Sequence, residues 1–182
     1  MSVPRLLRGL DQADAARFAS GHLALLEELI ETSGADDAAL ERGLAELAGG
    51  AEGAVELVAY GMTAAFRPQE ADGESGRVQL LLGPDGTPDE AREFEVCLEI
   101  AAGSCRVVEC DDAADSVIRI STPTFLRIAF KFLDGNDAYL AGLTDLTGDV
   151  FLATNLDQWF DVPSLVDYEA VAAGVFAAGE ER

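Results

Sequence analysis

Few side chains in this sequence are placed to do chemistry, and each has a plainer reading beside it. His22 is the only histidine. It is the one side chain that titrates near neutrality unshifted, which makes it the candidate general base. It also lies inside a helical pattern, where a lone histidine is more often a half-buried polar residue. The three cysteines, Cys97, Cys105 and Cys110, are separated by eight and five residues. Those gaps match no zinc pattern, so no metal is expected. An odd count with no export signal argues against a disulfide framework. Cys97 is a candidate nucleophile, yet no basic group in its local sequence would lower its pKa. Asp111, Asp112 and Asp115, like Asp134 and Asp137, read first as turn and cap residues, and no EF-hand spacing is present. Dinucleotide, P-loop and nucleophile-elbow patterns are absent from the sequence. No cofactor is expected, and no catalytic residue is assigned.

The elements that would position these residues follow from periodicity. Pro4 to Thr32 reads as helix. Its apolar face comprises Ala15, Phe18, Leu25, Leu26, Leu29 and Ile30, and Asp11 or Asp14 marks a second start. Asp36 or Asp37 caps a second helix that ends at Gly49-Gly50, and a third pattern runs to Phe66. Residues 67–76 form a polar loop and the clearest seam in the chain. Beyond it the period becomes two. Val78, Leu80 and Leu82 mark one strand; Phe94, Val96, Leu98 and Ile100 mark the cleanest one. Pro84 to Glu93 is a turn and an acidic loop; Cys105 to Cys110 returns as a hairpin partner. Ser116 to Ser121 is a fourth strand. The short connections predict an antiparallel meander. Thr122 as N-cap and Pro123 at the first position predict a helix through Leu133. A short helix at Asp137–Ala141, a strand at Leu143–Thr147 and a helix at Val150–Phe160 follow, the last with Phe151, Leu152 and Leu156 on its buried face. A C-terminal helix is predicted over Leu165–Ala178.

Composition limits the function. The net charge of −22, from 34 acidic and 12 basic residues, argues against nucleic acid and anionic membrane surfaces as partners. Its bland reading is a bacterial host whose proteins are generally acidic. No run of about 18 apolar residues exists, so stable membrane insertion is not expected. The N-terminus has no continuous apolar h-region, and the expected location is cytoplasmic. The most apolar and aromatic stretch is Thr122–Phe160, with five of nine Phe and the only Trp.

From Phe66 onward the order of elements resembles the sterol carrier protein 2 (SCP2) sterol-binding domain family, over about residues 66–160. The resemblance rests on the strand and hairpin RVQLLLG and EFEVCLEIAAGSCRVVE and on the D-x-x-[IV]-x-[IV]-S strand Asp115–Ser121. It continues through Phe125-Leu126-Arg127-Ile128, Ala138-Tyr139-Leu140-Ala141-Gly142, the G-x-x-x-[LI]-x-G-D segment Gly142–Asp149, and Leu152-Ala153-Thr154-Asn155-Leu156. One departure stands out. Lys131, flanked by Phe130 and Phe132, occupies the place between two helices where the family usually has glycine. The resemblance implies an α+β fold: an SCP2-like five-stranded mixed sheet covered by helices, here with an N-terminal helical extension. The expected division is 1–66 for the extension and 67–182 for the SCP2-like domain, packed as one unit. Between sheet and helices it implies an apolar tunnel for lipids, fatty acyl groups or sterols, and the expected ligand is a lipid, fatty acyl group or polycyclic metabolite. Candidate lining residues are Phe94, Val96, Leu98, Phe125, Ala129, Phe132, Leu133, Tyr139, Leu152, Leu156 and Trp159.

Three functions compete. The first is a carrier or presenter of a hydrophobic small molecule. The second is a tailoring or cyclising enzyme using the same pocket, with Tyr139, Asp145, Asp149, Asn155, Cys97 and His22 as its polar candidates. The third is an interaction protein with a closed core, a homodimer joined through the leucine faces of its N-terminal helices.

Overall fold

The computed structural model describes residues 10–83 and 94–165. The first helical turns at Pro4–Leu10 fall outside these up to residue 9. So do the acidic loop at 84–93 and all but Leu165 of the expected C-terminal helix.

Among the described residues four helices come first: α1 (Gln12–Ser33), α2 (Asp37–Leu47), α3 (Ala51–Ala65) and the single turn α4 (Pro68–Ala71). The seam at 67–76 thus contains a helical turn rather than loop alone. Asp11 caps α1 by accepting from Asp14 N, and Asp36 caps α2 by accepting from Ala39 N. The strands β1 (Gly76–Gly83), β2 (Phe94–Ala101), β3 (Ser104–Val108) and β4 (Ser116–Ser121) follow. Then come α5 (Thr122–Ala129), α6 (Gly135–Leu140), β5 (Thr144–Gly148) and α7 (Val150–Trp159), and a 3-10 turn at Val162–Leu165.

The fold is α+β, a five-stranded mixed sheet in the order β3-β2-β1-β4-β5. The expected meander fails at one join. β1 pairs with β4 in parallel, with Leu80 opposite Ile118, while the other three pairings are antiparallel. The β2–β3 hairpin and the chain after it act as the crossover that a parallel pair requires. One face of the sheet carries Val78, Leu80, Leu82, Val96, Leu98, Ile100, Ile118 and Ile120, all buried. The other carries an ion-pair row across strands. Arg77 meets Glu99 at 3.0 Å and Asp111 at 2.9 Å, and Arg106 also pairs with Glu99. These arginines hold the Glu99 carboxyl below its ordinary value, and the Ala113 amide with Arg77 does the same for Asp111.

Two sets of helices cover the apolar face. α3 packs over β2 and β3, with α1 laid against its far side; α7 packs over β1, β4 and β5. A backbone bridge between Phe66 and Phe160 joins the two sets, with Arg67 N donating to Trp159 O at 2.8 Å. One continuous apolar core runs from Ala15 to Val162. The leucine face of α1 (Leu23, Leu26, Ile30) lies within that core.

Several local expectations are corrected. Ser121, not Thr122, caps α5, its hydroxyl accepting from Thr124 N, and Pro123 is the second helical residue. The helix stops at Ala129 instead of Leu133. Phe132 N donates to Arg127 O and Lys131 N to Ile128 O, the paired bonds of a Schellman cap. That cap needs a left-handed residue, and Lys131 supplies it at φ 64°. Phe151 is 59% exposed, not buried. Two cysteines are joined: Cys97 to Cys110, with Cα atoms 5.2 Å apart. The hairpin register explains it. Cys97 stands opposite Val108, so Cys110 lies just beyond its cross-strand partner.

Candidate ligand site: an apolar cavity under the α5–α6 corner

The cavity sits over the β1, β4 and β5 end of the sheet. Its floor is Leu80, Ile118 and Ile120, alternate residues of β1 and β4 that the pleat sends to one face. α7 contributes Ala153 and Leu156 from one helical face, and α5 contributes Phe125 and Ile128. Met62 of α3 closes one wall and is the only lining residue drawn from the described N-terminal helices. The enclosed volume is about 80 Å³.

Polarity is concentrated at the rim, with the buried Thr144, opposite Ile120 on the floor, as the exception. Lys131, Gly135, Tyr139, Thr154 and Asp157 reach the rim, and among the described lining side chains only Lys131 and Asp157 carry charge. Lys131 is also the only lysine of the 182 residues. Its ammonium donates to the main-chain carbonyl of Asp157. The Asp157 side chain accepts from Gly135 N through Oδ2 at 3.4 Å. Its other oxygen, Oδ1, is buried and has no hydrogen-bond partner among the described residues. Thr154 donates its hydroxyl back to Val150 O at 2.9 Å.

Of the lining candidates read from sequence, Phe125, Ala129, Tyr139 and Leu156 meet in this cavity. Leu152 and Trp159 are buried beside it without lining it. Phe132 is 46% exposed and Leu133 half-buried. Phe94, Val96 and Leu98 belong to β2, under α3 at the other half of the sheet. Sequence reasoning passed over the β4 residues Ile118 and Ile120, although their alternation in SVIRIS was a usable signal. It had no means of finding Met62 or Asp157, which arrive through helix packing.

The polar candidates for catalysis are dispersed. Only Tyr139 lines the cavity. Asp145 pairs with Arg119 at 3.4 Å, and Asp149 caps α7 by accepting from Leu152 N at 3.1 Å. Asn155 donates to Phe151 O at 2.8 Å, and His22 stacks on Phe18. Cys97 is a disulfide partner and not a free nucleophile. Burial pushes the Cys105 thiol up to about 12, which leaves it protonated and inert. Among the described residues no group of His, Cys, Asp and Glu could hold a metal ion. Among the same residues no helix is long and apolar enough to cross a membrane.

Residues 70–161, just over half of the chain, match the SCP-2 sterol transfer family. The chain belongs to that family. Membership supports lipid binding and transfer as the general activity. Among solved structures, sterol carrier protein 2-like 3 of Aedes aegypti is similar over 57% of this chain and 90% of its own, at 16% identity and a TM-score of 0.43. A conserved protein of Thermus thermophilus is similar over 55% of this chain and 76% of its own, at 23% identity and a TM-score of 0.39. The sec-alkylsulfatase Pisa1 of Pseudomonas sp. is similar over 87% of this chain but 30% of its own, at 14% identity and a TM-score of 0.45. No curated protein matches the sequence significantly.

Proposed function

We propose that this chain carries or presents a hydrophobic small molecule, a lipid, fatty acyl group or polycyclic metabolite, in the cavity beneath the α5–α6 corner. The observation that carries the reading is the cavity's construction. Its floor is aliphatic apart from the buried Thr144, and its two charged groups stand together at the rim, as a site for an amphipathic guest requires. In the same reading, residues 1–66 are a helical extension and 67–182 the lipid-binding unit. Among the described residues the extension bounds the cavity only through Met62.

At about 80 Å³ the cavity is smaller than the ~300–1,000 Å³ typical of small-molecule sites, so the guest must displace part of the cover. α6 is the piece that moves. It has six residues, Ala138 is its one buried side chain, and Leu140 is 81% exposed. α5 is held more firmly, because Arg127 pairs with Asp37 at 2.5 Å and donates to Gly34 O.

Nile red titration tests the reading. Saturable binding is expected in the wild type and at least a tenfold loss in Ala153→Leu, which fills the cavity from α7. Equal binding by the two proteins, or none by the wild type, overturns it. Native mass spectrometry of freshly purified protein adds a second readout, the mass of any retained guest.

A further inference from the structure

The cavity rim holds two charged groups whose arrangement is unfinished. A buried carboxylate oxygen without a partner is unusual and costly, since buried polar atoms are nearly always hydrogen-bonded. Asp157 Oδ1 is such an atom, in a side chain that lines the cavity. Its sister oxygen is already engaged by Gly135 N. Across the rim, the Lys131 ammonium spends one of its three donors on Asp157 O. It is presented from a position whose backbone disfavours its residue type. The left-handed C′ position of a helix cap is normally glycine, and the chain places its single lysine there. Thr154, the other rim hydroxyl near α7, is occupied by main-chain carbonyls.

Asp157 Oδ1 lacks a donor, and the exposed Lys131 ammonium can offer its remaining donors to an acceptor in place of water. A hydroxyl supplies both through one oxygen. A carboxylate supplies only the acceptor, and it sets a like charge against Asp157. We propose that Lys131 and Asp157 form a headgroup clamp that selects apolar molecules ending in a hydroxyl over carboxylates of the same length. This inference rests on the ligand-binding reading above.

The test is displacement of Nile red at pH 8 by 1-dodecanol, dodecanoate and dodecane, each below its solubility limit. In the wild type, dodecanol is expected to displace roughly tenfold more tightly than either of the others. Asp157→Asn removes the like charge and is expected to bring dodecanoate up to within about threefold of dodecanol. Lys131→Gln is expected to weaken dodecanol several-fold and leave dodecane unchanged. Dodecanoate binding as tightly as dodecanol in the wild type overturns the clamp while leaving a lipid site intact. A wild-type preference unmoved by Asp157→Asn overturns it as well. Failure of all three compounds to displace the dye overturns the binding reading itself. Because the wild-type ratio is decisive alone, the clamp stays falsifiable even if a variant misfolds.

Discussion

The two halves of the sheet's inner face are covered by the same materials and finished differently. Under α3, the centre of the β2–β3 half is packed shut, and its cleft, at Tyr60, Val96 and Val107, lies at the sheet edge. Leu98, Ile100, Val55 and Leu57 are each at most 1% exposed, and α1 closes over the back with Leu23 and Leu26. Under the α5–α6 corner and α7, the β4–β5 half keeps an apolar void, half-exposed rim residues and an orphaned carboxylate oxygen. A stability-optimised core would treat both halves alike, because voids and unpaired polar atoms both cost free energy. The described N-terminal helices complete the closely packed half, brace α5 through Asp37 and Gly34, and reach the cavity itself only at Met62.

The largest effect should come from the turn that fixes the open half. Gly148 has φ 85°, and a Cβ there would lie 2.2 Å from Asp115 O, which also accepts from Asp149 N. Gly148→Ala is expected to cost on the order of 3–5 kcal/mol in urea denaturation, since neither backbone can yield without breaking β4–β5 pairing. A loss under about 1 kcal/mol would show the turn to be pliable.

A matched pair of enlargements tests the contrast itself. Ala54→Leu in the closely packed half should destabilise by about 1–3 kcal/mol through overpacking. Ala153→Leu, pointing into the void, should be neutral or stabilise by up to about 1 kcal/mol. Equal losses would erase the distinction between the halves. A smaller effect separates backbone from side chain at Lys131. Lys131→Ala keeps the left-handed strain and loses the bond to Asp157 O, whereas Lys131→Gly relieves the strain. The glycine variant should be the more stable of the two by about 1 kcal/mol.

The smallest effect lies on the sheet's outer face. Glu99 and Asp111 are held below their ordinary values of 4.5 and 3.8. Groups with depressed folded-state pKa values stabilise above the unfolded value, and that gain is lost as pH falls through the folded one. The melting-temperature gap between wild type and Glu99→Gln should therefore be small at pH 7, shrink as pH falls below 4.5 and vanish only once pH is under the depressed folded-state value. A gap that persists into acid would place its origin in packing.

Much of this was legible in the chain. The alternation in Phe94–Ile100, Pro123 near a helix start and the Gly142–Asp149 segment all named their elements, and the family resemblance supplied a mixed sheet that local connections did not. The parallel β1–β4 pairing was hidden because nothing in Val78–Leu82 says which neighbour lies on its second edge. The lining list inherited that gap. It chose β2 for its clean alternation, yet the strand order puts β2 under α3. The Cys97–Cys110 bond was missed because a separation of 13 acquires meaning only through the hairpin register. Phe151 was misplaced because helical period fixes a face and not which flank of it meets the sheet.

The helix cap at Lys131 has a practical consequence. Since the sequence holds no other lysine, acylation of a side-chain amine can occur at one place, the rim of the cavity. A guest seated beneath that amine would shield it. Mass spectrometry after brief treatment with an amine-directed reagent would then read occupancy as a single mass increment on the peptide that contains Lys131, with no probe inside the cavity and no engineered label.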